Sequence, residues 1–380
     1  MTGRTLGDHP TRRLAVDSIA LANRYAEAAA RPGTASEDLA HLAGEMLSAI
    51  HGPSDPAVPA ILDTLAPIIA TATPEVMSLT STMVGLLCER GADPGPAAEP
   101  FVGRFNTTVL SAYNLFGAIA ARVAMRSADG STARTTDGER DIYAEEDAAR
   151  IELASEMPEP AAAWDLLTAL LPASTAIFGR SQTARRAAQP SLGRLQAMRQ
   201  SHQAAGWLCE ILRVLENERF VAIEPATGRG IRGHFGGLAD NFQLNVLIMN
   251  AFPRDADQPA RVSQSAVDVA LSHGPQETDE TITGSWNLYE WPALGRDGSL
   301  PPVHGQLGTT HWIWNEGVPA DIPPFGGERV IVLGPPTYTR TWRSQRAFAF
   351  LQGSLTVDRT LTPEEVQLLI LDIIATPRVG

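Results

Sequence analysis

The sequence contains no lysine, and all 30 of its basic residues are arginine. Lysine is ordinarily among the commonest residues, so its absence calls for a cause. A GC-rich coding bias favours Ala, Arg, Gly and Pro and accounts for it. The sharper alternative is that the protein works beside chemistry that modifies amines, such as a protein-tagging system or an aldehyde-like product. Coding bias is the reading adopted. Under either cause no side-chain Schiff base can form, which excludes lysine-dependent pyridoxal enzymes and Walker-type NTPases.

Cysteine is nearly absent as well. Cys88 and Cys209 are the only two, far apart and in no metal-ligand or CxxC spacing. Each lies in an apolar stretch with helical spacing, as a small buried hydrophobe would. Such usage suits a reducing cytoplasm. The aromatic fraction is only 6%, and no segment is a basic pole. The net charge of −13 divides as −3, −4 and −6 over residues 1–126, 127–219 and 220–380. Binding to nucleic acid or to an anionic membrane relies on clustered cations, so neither partner is expected. No uncharged apolar run reaches the roughly 18 residues of a bilayer-spanning helix, and the N-terminal stretch lacks the h-region of a signal peptide.

What is present is a chain of 380 residues, 44% hydrophobic, enough for a substantial core and for two domains. The pattern is helical from residue 13 to about 126. Ser36 precedes an apolar face of Leu39, Leu42 and Met46. Thr73-Pro74-Glu75 reads as a helix start, and Gly91 as that helix's end. A helix over 98–126 is expected to turn Phe101, Phe105, Leu110, Tyr113 and Phe116 to the core. Residues 127–142 read as an exposed loop. Nine acids crowd Asp137–Glu159, and five arginines follow at Arg180, Arg185, Arg186, Arg194 and Arg199. They read either as an acidic flap facing a basic groove or, preferably, as solvated helix faces that pair with each other. A long helix is expected from Leu195 to Glu216.

Strand-like runs begin after residue 219, and five of the seven tryptophans lie between Trp286 and Trp342. The expected organisation is therefore α+β, with a helical domain over 1–218 and a mixed, tryptophan-rich domain over 219–380. In the second domain Phe220–Glu224 and Ile231–Phe235 read as strands. Asp240 with Gln243 reads as a helix cap, a second helix is expected over 262–272, and strand-like segments over 281–291, 309–315 and 328–334. Thr362-Pro363-Glu364-Glu365 marks the last helix. Gly228, Gly230 and Gly233 spell GxGxxG, but the run that follows is strand-like. A dinucleotide loop must open onto a helix, so a β-hairpin is the better reading.

None of the eight histidines has metal-ligand spacing, no GxSxG elbow occurs, and neither metal nor cofactor is expected. The most unusual segment is His311-Trp312-Ile313-Trp314-Asn315-Glu316-Gly317. If extended, it places Trp312 and Trp314 on one face. With Trp286, Tyr289 and Trp291, these rings suggest an aromatic-walled groove, the alternative being a tryptophan-rich core. Arg340, Arg343 and Arg346, with Trp342, add groups suited to a carboxylate or acidic peptide. The expected function is a non-catalytic binding or accessory protein holding a peptide or protein partner, with a homodimer as a further assembly. A bacterial peptide-maturation pathway would suit the composition. The alternative is a hydrolase or transferase whose site is drawn from Glu224, His234, Asp240, His311 and Glu316.

Overall fold

A computed structural model describes residues 9–52, 55–129, 141–254, 259–300 and 311–377. The expected loop over 127–142 falls largely outside them. The fold is α+β, with helices in the N-terminal half and a mixed sheet in the C-terminal half. Two compact units divide at Leu212/Arg213.

The first unit is all helix: α1 (His9–Ala29), α2 (Ser36–Ala49), α3 (Val58–Thr71), α4 (Pro74–Glu89), α5 (Ala98–Ala128), α6 (Ile142–Glu156), α7 (Pro158–Arg180), α8 (Gln182–Ala188), α9 (Leu192–Met198) and α10 (Gln203–Leu212). Helix α4 begins at Pro74, although the Thr73 hydroxyl makes no capping bond, and Gly91 follows its end at φ +104°. Only a residue without Cβ adopts that conformation at no cost. Helices α5 and α7 are long and apolar enough, by length and composition, to cross a membrane. Here α7 packs on both α5 and α4. Phe101, Phe105 and Phe178 meet edge-on or stacked at 5.1–6.2 Å. Cys88 is buried, and burial pushes its thiol pKa to about 12.

Three expectations for this unit are corrected. The buried stripe of α5 runs through Phe101, Phe105, Thr108, Ala112, Leu115 and Ile119, whereas Leu110 and Tyr113 are exposed. Small Thr108 and Ala112 lie on the true core face, so counting only large apolar residues shifts the phase of the stripe. The acids of α6 do not face the later arginines. Glu152 and Glu156 pair with Arg122 of α5 at 3.0 Å, and Glu152 also with Arg126. Arg185 is instead buried and donates to the Phe178 carbonyl, and Arg194 donates to that of Pro190. The single helix expected over Leu195–Glu216 is broken at Arg199–His202 into α9 and α10. There the His202 imidazole accepts from Ala205 N at 3.3 Å, capping α10, and its other nitrogen meets the Trp164 carbonyl at 2.9 Å.

The second unit is built on a six-stranded sheet with the order β4-β6-β1-β2-β8, β5 pairing on β6. Its strands are β1 (Glu218–Glu224), β2 (Arg229–Gly236), β4 (Asn287–Glu290), β5 (Pro324–Phe325), β6 (Glu328–Gly334) and β8 (Ser354–Leu361). All neighbours are antiparallel except β1 and β6. Strands β3 (Glu277–Thr283) and β7 (Thr341–Gln345) form a separate antiparallel pair. The period of two along β1 sorts the core. Phe220 and Ala222 face one layer, holding α11 (Asn241–Ala251) and α12 (Gln264–Leu271). Val221 and Ile223 face the other, holding α13 (Pro363–Ala375) with Val366, Ile370 and Ile373. Thr362 and Glu365 close a full capping box at the start of α13.

The GxGxxG segment is the β1–β2 hairpin, with Gly228 at φ +67° in its turn. Gly233 sits at a bulge against β8, where a Cβ would lie 2.0 Å from the Thr356 carbonyl oxygen. The glycines serve close strand approach rather than a phosphate. The strand-like stretch over 281–291 is two strands in different sheets, and the described part of 309–315 makes a single bridge.

Candidate functional site

The segment His311–Gly317 lies between the edge of the sheet and the start of α11. Along β4 it is held by two backbone bonds, Glu290 N to His311 O and Ile313 N to Leu288 O, both 2.9 Å. Beyond them it covers the first turn of α11. Asn241 N donates to Gly317 O at 2.9 Å and Phe242 N to Asn315 O at 3.1 Å. Helix N-termini leave amide donors unsatisfied, and these two find carbonyls on the segment. Asp240 takes a third, accepting from Gln243 N at 2.9 Å. Burial raises the Asp240 carboxyl to about pKa 6, against the lowering effect of the amides it accepts. The Gln243 side chain accepts from Ala239 N, one residue short of a capping box, and donates to Ala270 O of α12.

Alternation along the segment then decides which side chains are displayed. Ile313 and Asn315 point inward and are buried. Asn241 donates to the Trp314 carbonyl at 2.8 Å, and Asn245 to Asn315 Oδ1 at 3.2 Å. The remaining amide atoms, Asn241 Oδ1, Asn245 Oδ1 and Asn315 Nδ2, have no partner among the described residues. Trp312 and Trp314 point the other way, their rings 5.1 Å apart and inclined by 51°. Tyr289 meets Trp312 edge-on at 6.2 Å, and Tyr338 lies 6.4 Å from the same ring. Trp314 and Tyr338 are 45% and 51% exposed, large values for such rings. Arg340 lies 5.7 Å from the Trp314 ring centroid and pairs with Glu316 at 2.8 Å. His311 and Glu290 pair at 3.5 Å. Burial raises the Glu290 carboxyl, and the His311 contact partly opposes this.

Of the residues singled out from sequence, the structure thus gathers Tyr289, Trp312, Trp314, Arg340, His311 and Glu316. It separates the others. Trp286 is buried in the sheet core, edge-on to Phe252 at 5.1 Å, with Arg261 over its ring and its N–H donated to Glu224 at 2.7 Å. Trp342 is buried against Phe242, and Trp291 packs on Phe325. Arg343 is exposed beside Asp279, and His234 pairs with Asp358 at 3.0 Å. Among the described residues no hydrogen bond or ion pair joins any two of Glu224, His234, Asp240, His311 and Glu316. No group of three or more metal-ligating side chains converges among them either.

Sequence reasoning passed over Tyr338, Asn241 and Asn245. The two asparagines stand four apart in a helix that is otherwise apolar on nearly every side, a visible sign of a buried polar contact. Tyr338 carries no comparable signal. Comparisons with protein-family models, with curated proteins and with solved structures find no match to this chain.

Proposed function

We propose that the chain is a non-catalytic accessory protein that holds a peptide or protein partner on the aromatic face of its second unit. The observation that carries this reading is the display of Trp314 and Tyr338 around half-buried Trp312, with Arg340 and Glu316 at the rim. Exposed aromatic rings beside a charged pair bury large area on contact while keeping polar handles, as protein-binding hot spots do. The dispersal of the five acid–base candidates onto separate partners supports binding over catalysis. A cytoplasmic setting and a role in peptide maturation belong to the same proposal, as does the absence of nucleic-acid and membrane partners.

Native mass spectrometry of the protein purified gently from its own host tests it. A peptide or protein should accompany the wild type at fixed stoichiometry, and the double variant Trp314→Ala/Tyr338→Ala should lose it. A bare wild-type chain, or a partner retained by the double variant, overturns the reading.

A further inference from the structure

The first unit carries a cavity of its own. It measures about 230 Å³ and lies among α5, α6, α7 and the break between α9 and α10. Its walls include three aromatic residues, Phe116, Tyr143 and Trp164, and three charged ones, Glu146, Asp147 and Arg150. Tyr143 is 68% exposed. Phe116 is half-buried and Trp164 buried.

Among the described lining residues the charges do not cancel. Arg150 is committed to Asp147, with two of its nitrogens 2.8 and 3.2 Å from Asp147 Oδ1. Glu146 has no hydrogen-bond or ion-pair partner among the described residues. At the break between α9 and α10, His202 stands edge-on to Trp164 at 4.6 Å with both ring nitrogens engaged. Burial lowers its pKa, so it adds no positive charge near neutral pH. Among the described residues the cavity therefore offers one carboxylate without a partner beside three aromatic side chains. Aromatic faces attract cations, and the attraction strengthens where water is excluded. The volume falls below the roughly 300–1,000 Å³ of pockets for drug-sized ligands, which favours a small molecule over a peptide.

We propose that this cavity binds a small organic cation, an alkyl- or arylammonium, with its charge at Glu146 and its apolar body against Phe116, Tyr143 and Trp164. The site is independent of the aromatic face on the second unit. Phenethylammonium is a suitable probe, with phenethyl alcohol as its neutral counterpart, both titrated into the full chain by saturation-transfer NMR. Saturable binding of the cation is expected, with the alcohol weaker by about tenfold or more. Glu146→Gln should weaken the cation by about tenfold and leave the alcohol unchanged. Tyr143→Ala, at an exposed position that leaves the fold intact, should weaken both. No saturable binding of the cation to the wild type overturns the proposal. So does equal binding of the two probes, or binding unaffected by Glu146→Gln.

Discussion

Asp240 links a buried carboxylate to the folding equilibrium of the second unit. Its folded-state pKa is raised from the ordinary aspartate value of 3.8 to about 6. The folded chain therefore holds a proton that the unfolded chain has released. Its stabilising contribution is fully present below about pH 4 and is lost as pH rises through about 6. A shift of about two units corresponds to about 3 kcal/mol. Asparagine caps helices about as well as aspartate but does not titrate. In urea titrations at a series of pH values, the stability of the wild type relative to Asp240→Asn should fall between pH 4 and pH 6. A flat difference would remove Asp240 from the pH dependence. Gly233 makes a second prediction at this scale. A Cβ there meets a backbone oxygen rather than a flexible side chain. Gly233→Ala should destabilise the second unit by more than about 3 kcal/mol, as buried backbone strain does, whereas Trp314→Ala at the surface should change stability by less than about 1 kcal/mol.

At the scale of elements, the segment His311–Gly317 depends on α11 for half of its anchorage. Asn241→Ala leaves the Trp314 carbonyl without its side-chain donor, at a cost of about 1–2 kcal/mol. Amide exchange across residues 311–317 should quicken in that variant while exchange in α13 stays unchanged. Helix α6 depends similarly on Arg122. Arg122→Met should speed exchange within Ile142–Glu156 and leave α4 unaffected. Elements with local signals were readable from the sequence. Thr362-Pro363-Glu364-Glu365 carries the start of α13 within four residues, and the apolar run over 328–334 is β6. Elements fixed by distant contacts were not. The break before α10 arises where His202 meets Trp164, 38 residues earlier. The partners of the α6 acids lie about one helix upstream, on a face of α5 that the apolar pattern does not mark. The site divides the same way: alternation in His311–Gly317 shows which rings share a face, but Tyr338 and the two asparagines enter only through tertiary packing.

Across the whole molecule, the division at Leu212/Arg213 makes a prediction distinct from a boundary near residue 218. Three contacts of the second unit lie just before its first strand or at its start. Arg213 pairs with Asp321, Leu215 O accepts from Gly237 N at 3.0 Å, and Glu218 pairs with Arg329 at 2.9 Å. A fragment of residues 213–380 should therefore melt cooperatively and at a higher temperature than one of residues 219–380, as calorimetry would show. Equal melting temperatures would mean that the leading residues contribute nothing. The close pair Trp312–Trp314 has an optical consequence. Two indoles 5.1 Å apart and inclined by 51° couple their electronic transitions. Such coupling produces paired bands of opposite sign in circular dichroism, which a lone indole cannot give. That couplet should vanish in Trp314→Ala, and a partner that tilts either ring should reshape it. The chain thus carries a label-free spectroscopic report on the face proposed for binding.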